Sequence, residues 1–133
     1  MILGIGTDII EINRVKASVE KNSAFIGKMF TNNEIKYFTN RSMSFEVIAG
    51  NFSAKEAVSK ALGTGIRGFS FKDIEVLRDE LGKPYVTLYN KANKIANDAV
   101  GDNGIYKIHL SISHSKENAI SYAILEGDFC ENR

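Results

Sequence analysis

The sequence predicts an α+β fold, mainly antiparallel sheet with one long helix, and three observations carry that prediction. Helical periodicity fills much of the first half, where apolar residues recur every three to four positions. Regular alternation marks the C-terminal part, with Ile108, Leu110 and Ile112 on one face of a strand. Between these regions, two short β-prone runs flank a turn-like stretch.

Met1 to Ile10 is apolar and punctuated by glycine, which predicts a buried strand ending near Asp8. Ile12 to Lys21 places Ile12, Val15 and Val19 on one face, as an amphipathic helix does. Phe25 to Phe38 predicts a second helix, and Thr31 three residues before Glu34 is a capping-box signal. Ser44 can cap a long helix running to about Leu62, stopped by Gly63-Thr64-Gly65. Gly50 lies inside that helix, at a cost of about 1 kcal/mol relative to Ala. Ile74 to Arg78 and Tyr85 to Leu88 bracket Asp79 to Pro84 as a hairpin. Lys91 to Val100 reads as a helix ended by Gly101, followed by strands over Tyr106 to Ser113 and Ala119 to Glu126. No repeat or linker interrupts the chain, so residues 1–133 are expected to form a single domain.

Composition narrows the function classes. Seventeen Lys and Arg against 16 Asp and Glu give a formal net charge of +1, without the basic excess of a nucleic-acid binder. No apolar run approaches the roughly 20 residues of a membrane span, and no basic n-region precedes Ile2, so a cytoplasmic protein is expected. The single cysteine, Cys130, sits between Asp128 and Glu131 in an acidic stretch that discourages a thiolate; it reads as a bystander.

Three stretches carry possible chemistry. In Gly4-Ile5-Gly6-Thr7-Asp8, a carboxylate near the end of an apolar strand needs compensation by a metal, a cation or a helix N-terminus, or else Asp8 is a cap. The two glycines do not continue into GxGxxG, so a dinucleotide loop is excluded. From Phe52 to Gly65, helical spacing puts Phe52, Glu56, Lys60 and Gly63 on one face, with Ala54, Ala57, Val58 and Ala61 elsewhere. Glu56 and Lys60, one turn apart, form either an exposed ion pair or a site holding Mg²⁺ beside a phosphate. In Ser111 to Asn118, His114 and several serines cluster at a strand end, a site or a hydroxyl-stabilised turn. No G-x-S-x-G elbow supports a serine hydrolase.

Their order along the chain is more specific than any one of them. A strand with Gly4-Ile5-Gly6-Thr7-Asp8-Ile9, then Phe52-Ser53-Ala54-Lys55-Glu56-Ala57 continuing through Lys60 to Gly65, then Ser111-Ile112-Ser113-His114, resembles the holo-acyl carrier protein synthase family of 4′-phosphopantetheinyl transferases. Gly82-Lys83-Pro84 matches the family's turn, and the resemblance runs from Gly4 to about Glu126.

The resemblance implies a transferase of fatty acid biosynthesis that moves the 4′-phosphopantetheine arm of coenzyme A to a serine of apo-acyl carrier protein, releasing 3′,5′-ADP. It implies that Asp8 and Glu56 bind Mg²⁺, that Lys60 faces the coenzyme A phosphates and that Gly63 lets the cofactor approach the backbone. His114 then belongs near the adenosine phosphate, and Arg14 meets the acidic carrier. The family's small members are trimers with sites between subunits. One position departs: the family's Arg before the motif Phe, placed near the 3′-phosphate, is Asn51 here. A coenzyme A-binding module without activity, or a metal-dependent phosphohydrolase, are the competing classes.

Overall fold

The computed structural model describes residues 1–65 and 68–129; Cys130 lies outside them. Its strands are β1 (Ile2–Glu11), β2 (Ile74–Arg78), β3 (Pro84–Leu88), β4 (Gly104–His114) and β5 (Asn118–Phe129). Its helices are α1 (Ile12–Lys21), α2 (Phe25–Met29), α3 (Asn32–Asn40), α4 (Phe45–Ala61) and α5 (Asn90–Val100). One antiparallel sheet has the order β1-β5-β4, and β2 pairs with β3 in a second.

The predicted α+β fold with its long helix is present, with three local corrections. The strand β1 continues past Asp8 to Glu11, because Ile2 to Glu11 stays paired with β5. It is also not wholly buried: its burial alternates, with Ile5 and Ile9 facing outward. The expected helix from Phe25 to Phe38 is two helices. Phe30 and Thr31 are extended, and Thr31 caps α3 by accepting from the Glu34 backbone N–H while Glu34 reaches back to Thr31 N. A capping box thus starts a new helix, which requires the preceding one to stop.

Helix α4 lies on the inner face of the three-stranded sheet and has apolar or neutral residues almost all round it. Ala54, Ala57, Val58 and Ala61 pack with Ile74, Val76, Leu88 and Leu125 in one core cluster. Ile48 and Ala49 pack with Val15, Phe30, Phe38 and Ala119 in another. Gly50 is buried, and a Cβ there would sit 3.2 Å from Ile112 Cγ2, so its cost in helix propensity admits β4 at close range.

Gly4 and Gly6 explain how β1 meets this helix. A Cβ on Gly4 would lie 1.9 Å from the Ala61 carbonyl oxygen, and one on Gly6 would lie 1.8 Å from that of Ala57. These are helix backbone atoms, so no rotamer change relieves the clash. The glycines are there to let a strand lie directly on a helix.

A second constraint was not visible in the sequence. Lys55 and Glu34, both fully buried, form an ion pair at 2.6 Å. Lys55 also donates to the carbonyls of Phe71 (2.8 Å) and Ile74, and Glu34 accepts from Val76 N and Asn51 Nδ2, each at 3.2 Å. Burial pushes the Glu34 pKa up and the Lys55 pKa down, each against the pull of its partner. The pair ties α3 and α4 to β2 and the 3₁₀ turn Phe71–Asp73.

Gly6→Ala should destabilise the fold by about 3 kcal/mol or more, the upper end of overpacking costs, because backbone must move away from backbone. Urea unfolding of the two proteins checks this; a loss below about 1 kcal/mol would mean that β1 and α4 separate easily.

Candidate active site

The close approach of β1 to α4 brings Asp8 to the helix. Asp8 stands opposite Ser121 in the β1–β5 register and, by alternation, points to the same side as Gly4 and Gly6. Glu56 and Lys60 are one turn apart on α4. Lys60 Nζ donates to the Thr7 carbonyl oxygen at 2.9 Å and lies 3.4 Å from Asp8 Oδ1. Together these side chains line a cleft of about 420 Å³ whose walls include Arg14, Phe25 and Phe52. Phe25 and Phe52 stack with ring centroids 6.1 Å apart.

Two of the alternatives raised by the spacing, a Glu56–Lys60 ion pair and an Asp8 cap, are not found among the described residues. Among the described residues, Lys60 pairs with Asp8 and no ion pair joins Glu56 to Lys60. Asp8 is not a helix cap either: Glu11 holds the N-cap position of α1, without a side-chain capping bond.

The cleft is lined by two carboxylates, Asp8 and Glu56, and two cations, Arg14 and Lys60. Burial raises the Asp8 pKa, opposed by Lys60. Burial raises the Glu56 pKa as well, and the charge of Asp8 adds to it, opposed by Lys60. Lys60 is the cation that opposes both shifts, and its side chain is half exposed, at 51%. Among the described residues no group of three His, Cys, Asp or Glu side chains gathers in metal-binding range. A pair of carboxylates on the wall of an open cleft fits Mg²⁺, which takes one or two carboxylates and fills its remaining positions with water and phosphate oxygens.

The other expected site residues lie elsewhere. Gly63 follows the end of α4 with φ +86°, a left-handed conformation that favours glycine, and a Cβ there would meet nothing within 4 Å. His114 is the last residue of β4, at the opposite edge of the sheet from β1, with Nδ1 3.6 Å from Glu46 Oε2. It lines a cleft with Glu46, Gly50, Gly82 and Pro84 and another with Ile9, Asn118 and Ile120, and β5 lies between β4 and β1 in the sheet. The serine-stabilised turn is present beside it: Ser115 Oγ accepts from the backbone N–H groups of Glu117 and Asn118.

Asn51, at the position where the resemblance puts the family's Arg, points into the core. It is fully buried, and its Nδ2 donates to Glu34 Oε2 (3.2 Å) and to the Val76 carbonyl (2.9 Å). A side chain so placed braces the Glu34–Lys55 network and cannot contact a phosphate in the His114 cleft.

The raised carboxyl pKa values have a consequence for stability. For a carboxyl group whose folded pKa is raised, stability is fully present below the unfolded pKa and is lost as pH rises through the folded pKa. Glu56 and Asp8 should therefore weaken the metal-free fold at neutral pH. Glu56→Gln should melt higher than wild type at pH 7 in chelator, with the difference vanishing below about pH 4, near the unfolded carboxyl range. An unchanged or lower melting temperature at pH 7 would show that Glu56 is not electrostatically strained.

Residues 4–121 match the 4′-phosphopantetheinyl transferase superfamily. The chain is 61% identical over 132 residues, covering 99% of each chain, to the holo-[acyl-carrier-protein] synthase of Clostridium perfringens. Among solved structures, it is similar to holo-ACP-synthase from Plasmodium yoelii (TM-score 0.81, 38% identity, 94% of each chain). It is also similar to the Bacillus anthracis holo-(acyl-carrier-protein) synthase in complex with CoA (3′,5′-ADP), at TM-score 0.76 and 42% identity over 96% of this chain and 99% of that one. With the cleft and the fold in agreement with these matches, the chain belongs to the holo-[acyl-carrier-protein] synthase family of 4′-phosphopantetheinyl transferases.

Proposed function

We propose that this chain transfers the 4′-phosphopantetheine arm from coenzyme A to a serine of apo-acyl carrier protein, with the Asp8–Glu56–Lys60 cleft as the reaction centre. The carrying observation is that two desolvated carboxylates and a lysine, brought by two different elements, converge on one open cleft. The membership of the chain in a transferase family with coenzyme A complexes supports the same reading.

The reaction breaks the diphosphate of the donor. The serine oxygen bonds to the β-phosphorus, the bond to the departing oxygen breaks, and 3′,5′-ADP leaves. Transfer of this kind asks a protein for positioning and charge neutralisation more than for covalent chemistry. Asp8 and Glu56 would hold Mg²⁺, which when bound supplies positive charge against the diphosphate. Lys60, tethered to the Thr7 carbonyl and to Asp8, presents its ammonium to the charge developing on the leaving group. Arg14 on the cleft wall opens toward an acidic carrier, and Gly63 leaves room for the donor beside the end of α4. In this reading the enzyme works in the cytoplasm, beside the fatty acid synthesis it serves.

A homotrimer with sites between subunits completes this proposal. Two features support it. Ile5 and Ile9, each 64% exposed, join Tyr122 and Ile105 on the open face of the three-stranded sheet, an apolar surface suited to a second copy. The cleft that His114 shares with Glu46 and Gly50 is separate from the Asp8 cleft, and in this reading the His114 cleft of a neighbouring copy completes the donor site.

Asp8→Asn and Glu56→Gln should each lower transfer roughly 100-fold or more, the scale on which losing one electrostatic group from a transition state acts. The readout is the mass gained by apo-carrier incubated with coenzyme A and Mg²⁺; near-normal turnover in both variants would remove the cleft from the chemistry.

Assembly is tested separately. The chain should sediment as a trimer, and mixing inactive Asp8→Asn with inactive His114→Ala subunits should restore part of the activity. Full activity from a monomer would overturn the shared site.

A further inference from the structure

Helix α4 presents the site on a narrow strip. Between Ile48 and Ser59 only Phe52 and Glu56 are not buried, and both line the Asp8 cleft. The spacing between Glu56 and Asp8 therefore depends on the roll and slide of this helix. Apolar burial holds the helix in place but is nondirectional, so it selects neither. The contact with β1 fixes distance alone, because Gly4 and Gly6 meet helix backbone and offer no side chains to interlock as ridges in grooves.

Directional contacts must set the rest, and one residue concentrates them. Lys55 is fully buried and directly precedes Glu56. An ammonium has three N–H donors, and Lys55 Nζ meets three acceptors. These are Glu34 Oε1 on α3 at 2.6 Å, the Phe71 carbonyl on the 3₁₀ turn at 2.8 Å, and the Ile74 carbonyl at the start of β2. The other buried polar side chains of α4 reach less far. Asn51 bonds to Glu34 and the Val76 carbonyl, Ser53 to Ser121 and the Gly50 carbonyl, and Ser59 to the Glu56 carbonyl within the helix. Phe71 also connects to the cleft wall. Its ring stacks on Phe52 with centroids 5.4 Å apart, and Phe52 stands one turn before Glu56. Rolling α4 so that Glu56 swings away from Asp8 would pull Nζ off its acceptors on all three elements. An enclosed ion pair adds little net stability, so what Lys55 supplies is geometry.

We infer that Lys55 is a positioning residue for the reaction centre: by fixing the roll of α4, it sets Glu56 at the spacing from Asp8 that a divalent cation requires. The inference rests on the reading of Asp8 and Glu56 as the metal-binding pair.

The probe is Mn²⁺, which takes the same oxygen ligands as Mg²⁺ and is followed by its electron paramagnetic resonance signal as it binds the full chain. Electrostatics and positioning predict opposite signs. Removing a cation beside Glu56 would tighten Mn²⁺ binding by Coulomb attraction, whereas releasing the helix roll weakens it. Lys55→Met should weaken Mn²⁺ about 10-fold, the lower end of losses on removing groups that orient metal ligands. That variant leaves Glu34 buried without its partner, so Lys55→Met/Glu34→Gln removes both charges together. Its affinity should stay as low, because the ties to the Phe71 and Ile74 carbonyls are still missing. Val100→Ala, a core truncation where α5 ends, should lower the melting temperature and leave Mn²⁺ affinity unchanged. Unchanged or tighter binding in the Lys55 variants, affinity restored in the double variant, or an equal loss in Val100→Ala each overturns the inference. Mass gain of apo-carrier, run beside the titration, separates the two readings. Lys55-dependent Mn²⁺ affinity without transfer by the wild type sinks the transferase reading and leaves the inference standing. Transfer with affinity independent of Lys55 does the reverse.

Discussion

The contact on which the site depends is a strand lying against a helix with nothing between their backbones. At Gly4 and Gly6 a methyl group would fall within 2 Å of the α4 carbonyls of Ala61 and Ala57. That proximity carries Asp8, two residues further along the same face of β1, to within 3.4 Å of the lysine on α4. A larger residue at either position would push β1 outward and take the carboxylate with it. Core packing and site geometry are therefore one feature, since the atoms that set the distance are the same.

Helix α4 also divides the molecule. One flank, with Phe52, Glu56 and Lys60, looks onto Asp8 and carries two partly buried carboxylates whose pKa values are raised. The other, with Glu46, Val47 and Gly50, looks onto His114 and Arg78, where positive charge lacks a partner. Each of these is costly in isolation, because desolvated charge without compensation raises the free energy of the fold. Protein stability is given up locally where function needs charge.

The helix can tolerate these strained flanks because its remaining side is held firmly. The Glu34–Lys55 pair is fully enclosed, and its atoms are satisfied by backbone groups of Phe71, Ile74, Thr31 and Val76. A buried ion pair is weak as a source of net stability, yet breaking one side of it leaves an uncompensated charge. Its geometric effect is to register α4 against α3 and β2. Glu75 does similar work nearby, accepting from the hydroxyls of Thr31 (2.6 Å) and Tyr89 (3.1 Å).

Local features of this protein were legible in the chain. The capping box at Thr31 and Glu34, the alternation of β4 and the glycines ending α4 and α5 involve residues a few positions apart, where sequence spacing is spatial spacing. The face shared by Phe52, Glu56 and Lys60 was legible for the same reason. The partner of Lys60 was not, because helical spacing offers Glu56 while the tertiary fold offers Asp8, 52 residues away, at the end of a strand pressed against the helix. Asn51 is a like case: its position in the helix says nothing of its surroundings, and the packing of α3 and β2 decides that it bonds to Glu34 and the Val76 carbonyl. Lys55 gave no signal at all, since a lysine inside a helix is ordinarily solvated, and its burial follows from Glu34 arriving from another helix. Sequence determined which groups were present and which neighbours along one helix or strand shared a face. Tertiary structure decided which charges met, because ion pairing and desolvation depend on distances between elements that no local spacing contains.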